Sequence, residues 1–442
     1  MLKAKHRTGL VFFPAFDWAI SPTHPEREER LLYTQDQVFE EGLLDIDGIV
    51  EMKPDQATLQ DIQRVHFCVP DVWKVTTESH FISAGGAKTV GVAVMENNVE
   101  HGFALVRPPG HHAMRVVHGN RGFCNINIEA VMIEHLRQAY GIERVAIVDT
   151  DCHHGDGTQD IYWHDPETLF ISIHQDGRTL YPGSGFLDEL GGPNAFGRTL
   201  NIPLPPNTSE EGFLTVMRDV VKPILNDFKP DLVVNSAGQD NHYTDPITNM
   251  NFSAQGYAEL TRILKPDIAV LEGGYAIEGA LPYVNVGIIL ALAGLDYSGV
   301  HEPDYDPERI RQGSAVTDQI NKIGDAVLSL WHQRKALQDK IRQKCDRPAH
   351  TRNRRIYYDT DGIAEQQQET VQICDDCAGV LRIDSSADTG HHVLAVAIPR
   401  NVCDTCRRTG EDWFASADPR QFDGVFFQDR TDDRFESKSP GQ

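Results

Sequence analysis

The sequence predicts an α/β fold with a mostly parallel central sheet, followed by a small module built around four cysteines. Short apolar segments alternate with amphipathic helical segments over the first two-thirds of the 442 residues. This order is typical of βαβ units and therefore of a parallel sheet flanked by helices. Two Cys-x-x-Cys pairs then occur near the end, Cys374/Cys377 and Cys403/Cys406.

Six apolar segments predict strands of the sheet. Several lack the alternation of apolar and polar residues that a half-exposed strand shows, as expected for parallel strands covered on both faces. The predicted strands are residues 8–13, 103–106, 145–149, 169–174, 231–236 and 267–272.

Capping residues mark several of the helices between these strands. Ser209 and Ser253 each precede an amphipathic segment, where a serine side chain can cap the free N–H groups of a first turn. The segment 127–140 ends at Gly141, which is a natural C-terminal stop. A longer helix is predicted over 317–343 and is expected to pack on the main core.

The two cysteine pairs are spaced like the two knuckles of a four-thiolate zinc site. Each tight turn places two sulfurs on one side, so Cys374, Cys377, Cys403 and Cys406 would complete a tetrahedral structural zinc site. Two disulfides or a redox dithiol are the alternatives, and a disulfide framework is disfavoured without a secretory signal. His391-His392 lies between the pairs and could replace one sulfur.

Composition excludes several classes of function. The formal net charge is −24, which argues against binding of the whole chain to nucleic acid or to an anionic membrane. No apolar run approaches the roughly 20 residues of a membrane helix. The basic start of the chain lacks a signal-peptide core, so a cytoplasmic protein is expected. Cationic substrates such as amines remain compatible with the charge.

Four predicted strands lead directly into polar clusters. Because ligands bind at the carboxyl ends of parallel strands, these clusters predict one site at one edge of the sheet. The clusters are residues 107–112, 149–156, 236–240 and 272–275.

Three residues of these clusters suggest a metal site. Asp151 and His153 are two residues apart, so their side chains point the same way in extended backbone. Asp240 offers a third ligand. Two carboxylates and one imidazole leave a position open, as in a catalytic zinc site. The alternative is an Asp/His-rich turn whose carboxylates serve as caps.

Two further features suggest catalysis. His111-His112 supplies two imidazoles whose protonation can be set separately by carboxylate partners. The hydroxyl of Tyr275 could bind a developing oxyanion. Taken alone, a His-His pair more often packs or caps, and Gly-Gly-Tyr is only a turn signal.

With these motifs, residues 8 to about 300 resemble the zinc-dependent histone deacetylase and acetylpolyamine amidohydrolase superfamily, closer to its class II and bacterial branch. The resemblance implies an arginase/deacetylase-like three-layer α/β fold. The motifs that carry it are His24-Pro-Glu-Arg27, Arg107-Pro-Pro-Gly-His-His-Ala113, Gly122-Phe-Cys124, Asp149-Thr-Asp-Cys-His-His-Gly-Asp-Gly-Thr158, Ser172-Ile-His174, Tyr181-Pro-Gly-Ser-Gly185, Ser236-Ala-Gly-Gln-Asp240 with Asp245-Pro246, and Leu271-Glu-Gly-Gly-Tyr275.

The resemblance, the polar composition of residues 346–370, the cysteine spacing and the charged end of the chain together predict a division into four parts. Residues 1–345 would form the deacetylase-like catalytic domain, and 346–370 a linker. Residues 371–412 would form the zinc-ribbon-like module, and 413–442 a charged tail.

The resemblance also implies roles for the catalytic groups. Asp151, His153 and Asp240 would hold the catalytic zinc, and Tyr275 would polarise the acyl carbonyl. The remaining roles are His112 as general base and then acid, His111 as its electrostatic partner, Asp156 as the hydrogen-bond partner of His112, and Asp149 as that of His111.

Substrate and ion sites are implied as well. Phe123, Tyr181 and Ile247 would line a narrow substrate tunnel, and Arg27 an inner cavity through which acetate leaves. A potassium ion would be bound by the side chains of Asp149 and Ser172 and by the carbonyls of Asp151, His153 and Ile173. A second potassium ion would lie near Tyr162, Asp165 and Thr168.

The chain departs from the family pattern at two places. Residues 65–84 form a shorter segment than in relatives, where a rim aspartate grips the substrate backbone; Asp71 and Glu78 are the candidates here. Ile247 stands where some polyamine-specific relatives have glutamate, which weakens the case for a polyamine substrate.

The leading hypothesis is a zinc-dependent deacylase acting on acyl-lysine or a related acylated amine. The second is an amidohydrolase of small acylated amines such as acetylpolyamines. A third, of another class, is an interaction or scaffold protein in which the ribbon does the main work. A homo-oligomer is a possible assembly, since a zinc ribbon often serves protein contact.

Overall fold

The computed structural model describes residues 2–21, 23–303, 305–345 and 348–440. Within them the chain forms an eight-stranded sheet, a six-stranded sheet and a two-stranded sheet. The predicted α/β class is confirmed.

The bounds of the elements are as follows. The strands are β1 Lys3–Phe13, β2 Asp47–Met52, β3 Phe67–Cys68, β4 His101–Val106, β5 Val116–Val117, β6 Val145–Asp149, β7 Thr168–Gln175, β8 Thr199–Leu204, β9 Leu232–Ala237, β10 Ile268–Leu271, β11 Ala349–Tyr358, β12 Ile363–Gln372, β13 Leu381–Ala387, β14 His392–Ile398, β15 Gly424–Asp429 and β16 Arg434–Lys438. The helices are α1 Glu29–Glu40, α2 Leu59–Gln63, α3 Val72–Val75, α4 Glu78–Met95, α5 Ile128–Tyr140, α6 Asp156–Tyr162, α7 Glu210–Val216, α8 Lys222–Phe228, α9 Ala254–Leu264, α10 Leu281–Leu292, α11 Ser314–Lys344 and α12 Asp404–Ser416. A 3₁₀ turn covers Leu43–Asp45, and a π-helical turn over Met217–Val221 joins α7 to α8.

The large sheet is parallel throughout, in the order β2-β1-β4-β10-β9-β6-β7-β8. All six predicted strands are present, with ends shifted by a few residues. The two edge strands, β2 and β8, were not predicted. In β8 the reason is Pro203, because a proline within an apolar run argues against a central strand and is tolerated at an edge.

Three layers follow from the alternation of side chains along the central strands. In β4, Phe103 and Leu105 pack into one apolar core, while Ala104 and Val106 pack into a second core on the opposite face. The sheet is therefore covered by helices on both faces, as in a three-layer fold.

The predicted helix ends agree with the structure except at Ser209. The Asn127 side chain accepts a hydrogen bond from the Ala130 N–H, and Gly141 ends α5 in the left-handed region at φ 70°. Ser253 caps α9. Ser209 precedes α7 without capping it, because its hydroxyl instead hydrogen-bonds Gln312.

The predicted linker and tail are wrong. Within 346–370, β11 and much of β12 form a hairpin, and within 413–442 lie β15 and β16 of the same six-stranded sheet. The segment 346–370 is polar, but its charges are paired: Glu369 on β12 is 3% exposed and accepts hydrogen bonds from Arg352 and Arg354 on β11. Opposite charges on facing strands allow a polar hairpin to be buried. Residues 348–440 are called the C-terminal module below.

The C-terminal module packs firmly on residues 1–345, here called the main domain. Phe67 and Val116 of the β3–β5 pair share an apolar core with Ile383 and Ala395 of the module sheet. Arg354 also forms a partly buried ion pair with Asp160 of the main domain. In the described part of the chain, no helix is both long enough and apolar enough to cross a membrane.

Candidate active site

The four predicted polar clusters meet at one edge of the large sheet. Their strands, β4, β10, β9 and β6, are consecutive neighbours and run in the same direction. Their carboxyl ends therefore deliver the clusters to a single place.

Three ligand atoms from two of these clusters converge. Atoms of Asp151, His153 and Asp240 all lie within 4.8 Å of one another, and both carboxylates are fully buried. The His153 Nδ1 atom lies 3.2 Å from Asp151 Oδ1 and 2.8 Å from Asp240 Oδ2. This mixed carboxylate and imidazole set suits zinc with an open coordination position.

Electrostatics at this trio also favour a cation. Burial disfavours the charged form of His153, but Asp240 and Asp151 outweigh it and raise its pKa to about 10. Two buried carboxylates thus require positive charge at this point, which a bound divalent ion would supply. The residues present fit a zinc ion.

Two glycines make room for these carboxylates. A Cβ atom on Gly238 would lie 2.1 Å from Asp151 Oδ2, and one on Gly273 would lie 2.7 Å from oxygens of both Asp151 and Asp240. The Gly273 N–H also donates a 2.7 Å hydrogen bond to Asp151. Glycine is therefore required at both positions by close approach.

The two histidines have separate carboxylate partners. Nδ1 of His111 lies 3.1 Å from Asp149 Oδ2, and Nδ1 of His112 lies 2.7 Å from Asp156 Oδ1. The two rings are 4.1 Å apart. Asp156 accepts two further hydrogen bonds from the guanidinium of Arg121, at 2.9 and 2.5 Å.

These surroundings drive the two pKa values apart. Burial disfavours the charge on His111, but the carboxylates of Asp151 and Asp149 outweigh it and raise its pKa well above the ordinary value. Burial, and then the charge on His111, lower the pKa of His112 to about 3. At neutral pH, His112 is therefore uncharged and able to accept a proton, whereas His111 is cationic.

Tyr275 lies against the same site and is 7% exposed. Its backbone N–H donates a 2.8 Å hydrogen bond to Asp245 Oδ2. Its ring packs edge-to-face with Phe123 at 5.9 Å between centroids, and the guanidinium of Arg30 lies 5.0 Å from its centre. Burial raises the pKa of the Tyr275 hydroxyl well above its usual value, so it stays a hydrogen-bond donor.

The assignment of Arg27 to the inner cavity is wrong. The side chain of Arg27 is 34% exposed and faces Glu29 at 3.4 Å. The arginine beside Tyr275 is Arg30, which is fully buried and donates to the Gly274 carbonyl at 2.7 Å. Arg30 also forms a buried ion pair with Glu26, four residues before it. That spacing was the signal that could have identified it.

A cavity of about 240 Å³ opens onto these groups. All three predicted tunnel residues, Phe123, Tyr181 and Ile247, line it. Phe123 has φ 69°, an unusual backbone conformation for a bulky residue, and such strain is often found at functional sites. The lining residues are His111, His112, Gly122, Phe123, His153, Leu180, Tyr181, Ile247, Tyr275 and Asp359.

Two charged residues of the site were not predicted: Arg121, which binds Asp156 beside the cavity, and Asp359, which lines the cavity. Arg121 stands directly before the Gly-Phe-Cys motif, so its position beside the motif was a usable signal. Asp359 belongs to the β11–β12 turn, and nothing in its local sequence marks it. The two proposed rim residues do not line the cavity: Asp71 caps α3 by accepting from the Trp73 N–H, and Glu78 begins α4.

The residues expected to bind potassium are partly assembled. Asp149 and Ser172 are register partners on β6 and β7, and Ile173 follows in the same strand. The Ser172 hydroxyl lies 2.8 Å from His174 Nδ1.

Near the second expected potassium site, an arginine already supplies positive charge. Arg137 donates to Asp165 at 2.7 Å and to the Thr168 hydroxyl at 2.8 Å, and its guanidinium lies 5.8 Å from the centre of the Tyr162 ring.

The four cysteines of the C-terminal module are also brought together. Their sulfurs all lie within 4.8 Å of one another, and none is in a disulfide. Cys403 lies just before α12, and its sulfur accepts a hydrogen bond from the backbone N–H of Cys406. This hydrogen bond lowers the pKa of the Cys403 thiol and so favours the thiolate. His392 is instead bonded to Asp384 at 2.8 Å. The cluster fits a four-thiolate zinc site.

Comparison with known proteins agrees with this geometry. Residues 70–285 match the sequence profile of the histone deacetylase domain. The chain is 43% identical over 349 residues to a probable deacetylase of Archaeoglobus fulgidus, covering 72% of this chain and 96% of the relative. It is 33% identical to a histone deacetylase-like amidohydrolase of Pseudomonas aeruginosa, covering 53% of this chain and 63% of the relative.

A solved structure shares the fold. The crystal structure of the HDA15 HD domain superposes with a TM-score of 0.63 at 25% identity, covering 77% of this chain and 99% of the other. On the strength of these matches and of the site described above, the chain is an enzyme of the histone deacetylase family.

Proposed function

We propose that this chain is a zinc-dependent hydrolase that removes an acyl group, of the acetyl type, from a lysine side chain or a related amine. The observation that carries the proposal is the convergence of Asp151, His153 and Asp240 beside an uncharged His112, at the base of a cavity. Neither a turn of capping carboxylates nor a purely structural metal site requires an adjacent neutral base and an access route.

Asp151, His153 and Asp240 would hold the zinc ion. When bound, zinc polarises a carbonyl oxygen and lowers the pKa of a coordinated water. The remaining steps fall to residues of the chain.

His112 would take the proton of the attacking water. Its 2.7 Å contact with Asp156 fixes which ring nitrogen is free, and the low pKa of His112 keeps it uncharged before the reaction. Asp156 would stabilise the imidazolium that forms, while Arg121 holds that carboxylate in place. The proton then returns to the leaving amine from His112, or is delivered from His111.

Tyr275 would donate a hydrogen bond to the oxyanion that develops on the acyl carbon. Its hydroxyl stays protonated over the physiological range because burial raises its pKa. Phe123 and Tyr181 would hold the alkyl chain of the substrate, so that only the amide reaches the base of the cavity.

Two further ion sites belong to the proposal. The four-cysteine cluster would hold a structural zinc ion that fixes α12 against the module sheet. A potassium ion would bind next to the catalytic residues through Asp149 and Ser172, with backbone carbonyls of Asp151, His153 and Ile173.

An acyl-lysine substrate panel tests the proposal. Fluorogenic peptides bearing acetyl and longer acyl groups are assayed with and without a hydroxamate and a chelator. We expect hydrolysis of the acetyl peptide that both reagents abolish and that added zinc restores after chelation. Turnover that persists in the metal-free protein would contradict the proposal.

A further inference from the structure

One loop of the main domain, residues 120–124 and called the 120–124 loop below, reaches both proposed catalytic groups. The guanidinium of Arg121 donates to Asp156 at 2.9 and 2.5 Å, and Asp156 is the partner of the general base. The ring of Phe123 packs edge-to-face on that of Tyr275 at 5.9 Å between centroids. A shift of this loop would therefore disturb the base and the oxyanion donor together.

The backbone of the 120–124 loop needs support from outside. Gly122 and Phe123 are both in the left-handed region, at φ 51° and 69°. Glycine tolerates this region, whereas a bulky residue keeps such a conformation only where surrounding contacts fix it. The backbones of Arg121 and Cys124 exchange hydrogen bonds of 3.0 and 2.8 Å and so close the turn. The N–H groups of Asn120 and Gly122 are bound elsewhere.

The C-terminal module supplies those outside contacts. Three alternate residues at the end of β11 and in the turn to β12 each bind the 120–124 loop. The contacts are Arg121 Nη1 to the Tyr357 carbonyl, the Gly122 N–H to Asp359 Oδ1 at 3.0 Å, and the Asn120 N–H to Asp361 Oδ2 at 2.6 Å. Three consecutive residues of the loop are thus held by one segment of the module.

Asp359 also holds a second wall of the cavity. The same Oδ1 atom accepts a 2.7 Å hydrogen bond from the Tyr181 hydroxyl. The Tyr181 ring packs edge-to-face with His112 at 5.2 Å between centroids, and the Arg121 guanidinium lies 5.5 Å from its centre. Arg121 interacts electrostatically with Asp359 as well. Asp359 therefore acts at this point as a shared hydrogen-bond acceptor whose charge is balanced.

The contact with the loop is also close to the reacting groups. Gly122 packs so tightly on the general base that a Cβ atom there would lie 2.4 Å from His112 Cδ2. Only Gly122 separates Asp359 from the imidazole on this path. Since small displacements of reacting groups lower the rate strongly, the acceptor on the module can influence catalysis without touching the substrate.

We propose that Asp359 is a positioning residue of the active site: it fixes the 120–124 loop and Tyr181 around the reacting groups. The C-terminal module then takes part in the active site as well as in the stability of the fold. This inference rests on the proposed amide hydrolysis and assigns a role in it to the module. The alternative is that the segment 357–361 only fastens the module to the main domain.

Kinetics of three variants of the full chain test the proposal with an acetyl-lysine peptide. Asp359→Ala removes the acceptor and should lower kcat/KM about tenfold, the size expected for two lost hydrogen bonds. Asp359→Asn should stay within about threefold of the wild type, because one amide oxygen can accept from both Gly122 and Tyr181. Tyr181→Phe should lower kcat/KM in the wild type but cause little further loss in Asp359→Ala, since the two side chains share one hydrogen bond.

Asp388→Ala is the matched control. Asp388 lies in the turn between β13 and β14 of the same module and accepts a 3.1 Å hydrogen bond from the Ala364 N–H. This variant should keep the wild-type kcat/KM. Wild-type activity in Asp359→Ala, equal damage by alanine and asparagine at this position, or fully additive losses with Tyr181→Phe would each overturn the proposal. So would an equal loss in Asp388→Ala, which would indicate fastening of the module alone.

Hydrogen exchange measured by mass spectrometry separates this inference from the proposed hydrolysis, because it requires no turnover. In Asp359→Ala, peptides covering the 120–124 loop should exchange faster than in the wild type, since the Gly122 N–H loses its acceptor. Asp359→Asn and Asp388→Ala should keep the wild-type rate. Unchanged exchange in Asp359→Ala would overturn the inference even in an active deacylase. Faster exchange in a chain that hydrolyses no acylated amine would support the positioning role and contradict only the proposed hydrolysis.

Discussion

Nδ1 of His112 lies 2.7 Å from Oδ1 of Asp156, and the other oxygen of that carboxylate accepts two hydrogen bonds from Arg121. Asp156 thus orients the imidazole of His112, and Arg121 balances the negative charge of Asp156. The pKa of Asp156 is held well below its usual range: burial opposes this, but Arg121 and His112 outweigh burial. The carboxylate stays ionised throughout the pH range of an assay.

Asp156→Asn should therefore lower kcat by about 10²–10⁴-fold, since general acid–base catalysis contributes on that order. The variant keeps the size of the side chain but cannot stabilise the imidazolium of His112. Steady-state kinetics measure the effect, with Asp219→Asn as an exposed control that should retain full activity. A variant with a third or more of wild-type kcat would argue against His112 as the base.

Tyr275→Phe should reduce kcat by about 10²–10³-fold, because one oxyanion donor is lost. Zinc content should not change, since the hydroxyl is not among the metal-binding atoms. Kinetics and elemental analysis measure the two quantities on the same sample. Tyr283→Phe, on α10 and outside the cavity, serves as the control; comparable losses in both variants would indicate a general packing effect.

Arg30 and Arg27 should differ sharply in their effect on stability. Arg30→Met leaves Glu26 fully buried with Arg107 as its remaining partner, at 2.7 Å, and should cost about 3 kcal/mol of unfolding free energy. Arg27→Met affects a partly exposed side chain and should cost less than about 0.5 kcal/mol. Urea denaturation of both variants measures the difference, and equal costs would contradict the assignment of Arg30 as the buried arginine.

The catalytic side of the site was largely predictable because it lies in short segments that follow apolar strands. Asp151, His153 and Asp240 needed only the rule that parallel strands deliver their carboxyl ends to one edge. Arg30 was missed because Arg27 and Arg30 both lie shortly after His24-Pro25. Only the four-residue helical spacing from Glu26 to Arg30 distinguishes the buried arginine from the other.

The C-terminal module was predictable only around its cysteines. The β11–β12 hairpin reads as a polar connector, since burial of Arg354 and Glu369 depends on partners that are distant in sequence or across the hairpin. Asp359 was missed for the same reason. Its position at the cavity depends on a turn that packs against Gly122, more than two hundred residues earlier, and no local pattern encodes such a contact.

The wild type should contain two zinc ions per chain, and Cys403→Ser should contain one. The remaining ion would be at the catalytic site, while loss of the structural ion should lower the melting temperature by several degrees because metal binding is coupled to folding. Cys345→Ser, outside the cluster, should leave both quantities unchanged. Unaltered zinc content in Cys403→Ser would favour a redox dithiol over a metal site.

Glu365, near the turn of the β11–β12 hairpin, should make the free energy of unfolding depend on pH. It is 1% exposed, and burial raises its pKa from 4.5 to about 7, even though its carboxyl accepts a hydrogen bond from Ser385 at 2.6 Å and lies 2.8 Å from the Tyr358 hydroxyl. Below pH 4.5 the carboxyl is protonated in both the folded and the unfolded chain. Between 4.5 and about 7 the unfolded chain releases the proton first, so unfolding becomes easier as the pH rises.

Glu365→Gln removes this titration at nearly constant volume. Relative to the wild type, the variant should gain unfolding free energy from pH 4.5 upward and level off above about pH 7, with a total gain of about 3 kcal/mol. Urea denaturation at a series of pH values measures the gain, and Glu436→Gln on β16, an exposed site, should show no such trend. A gain that is independent of pH would mean that Glu365 does not titrate in this range, and a loss that grows with pH would mean that its ionised form is stabilised by the module.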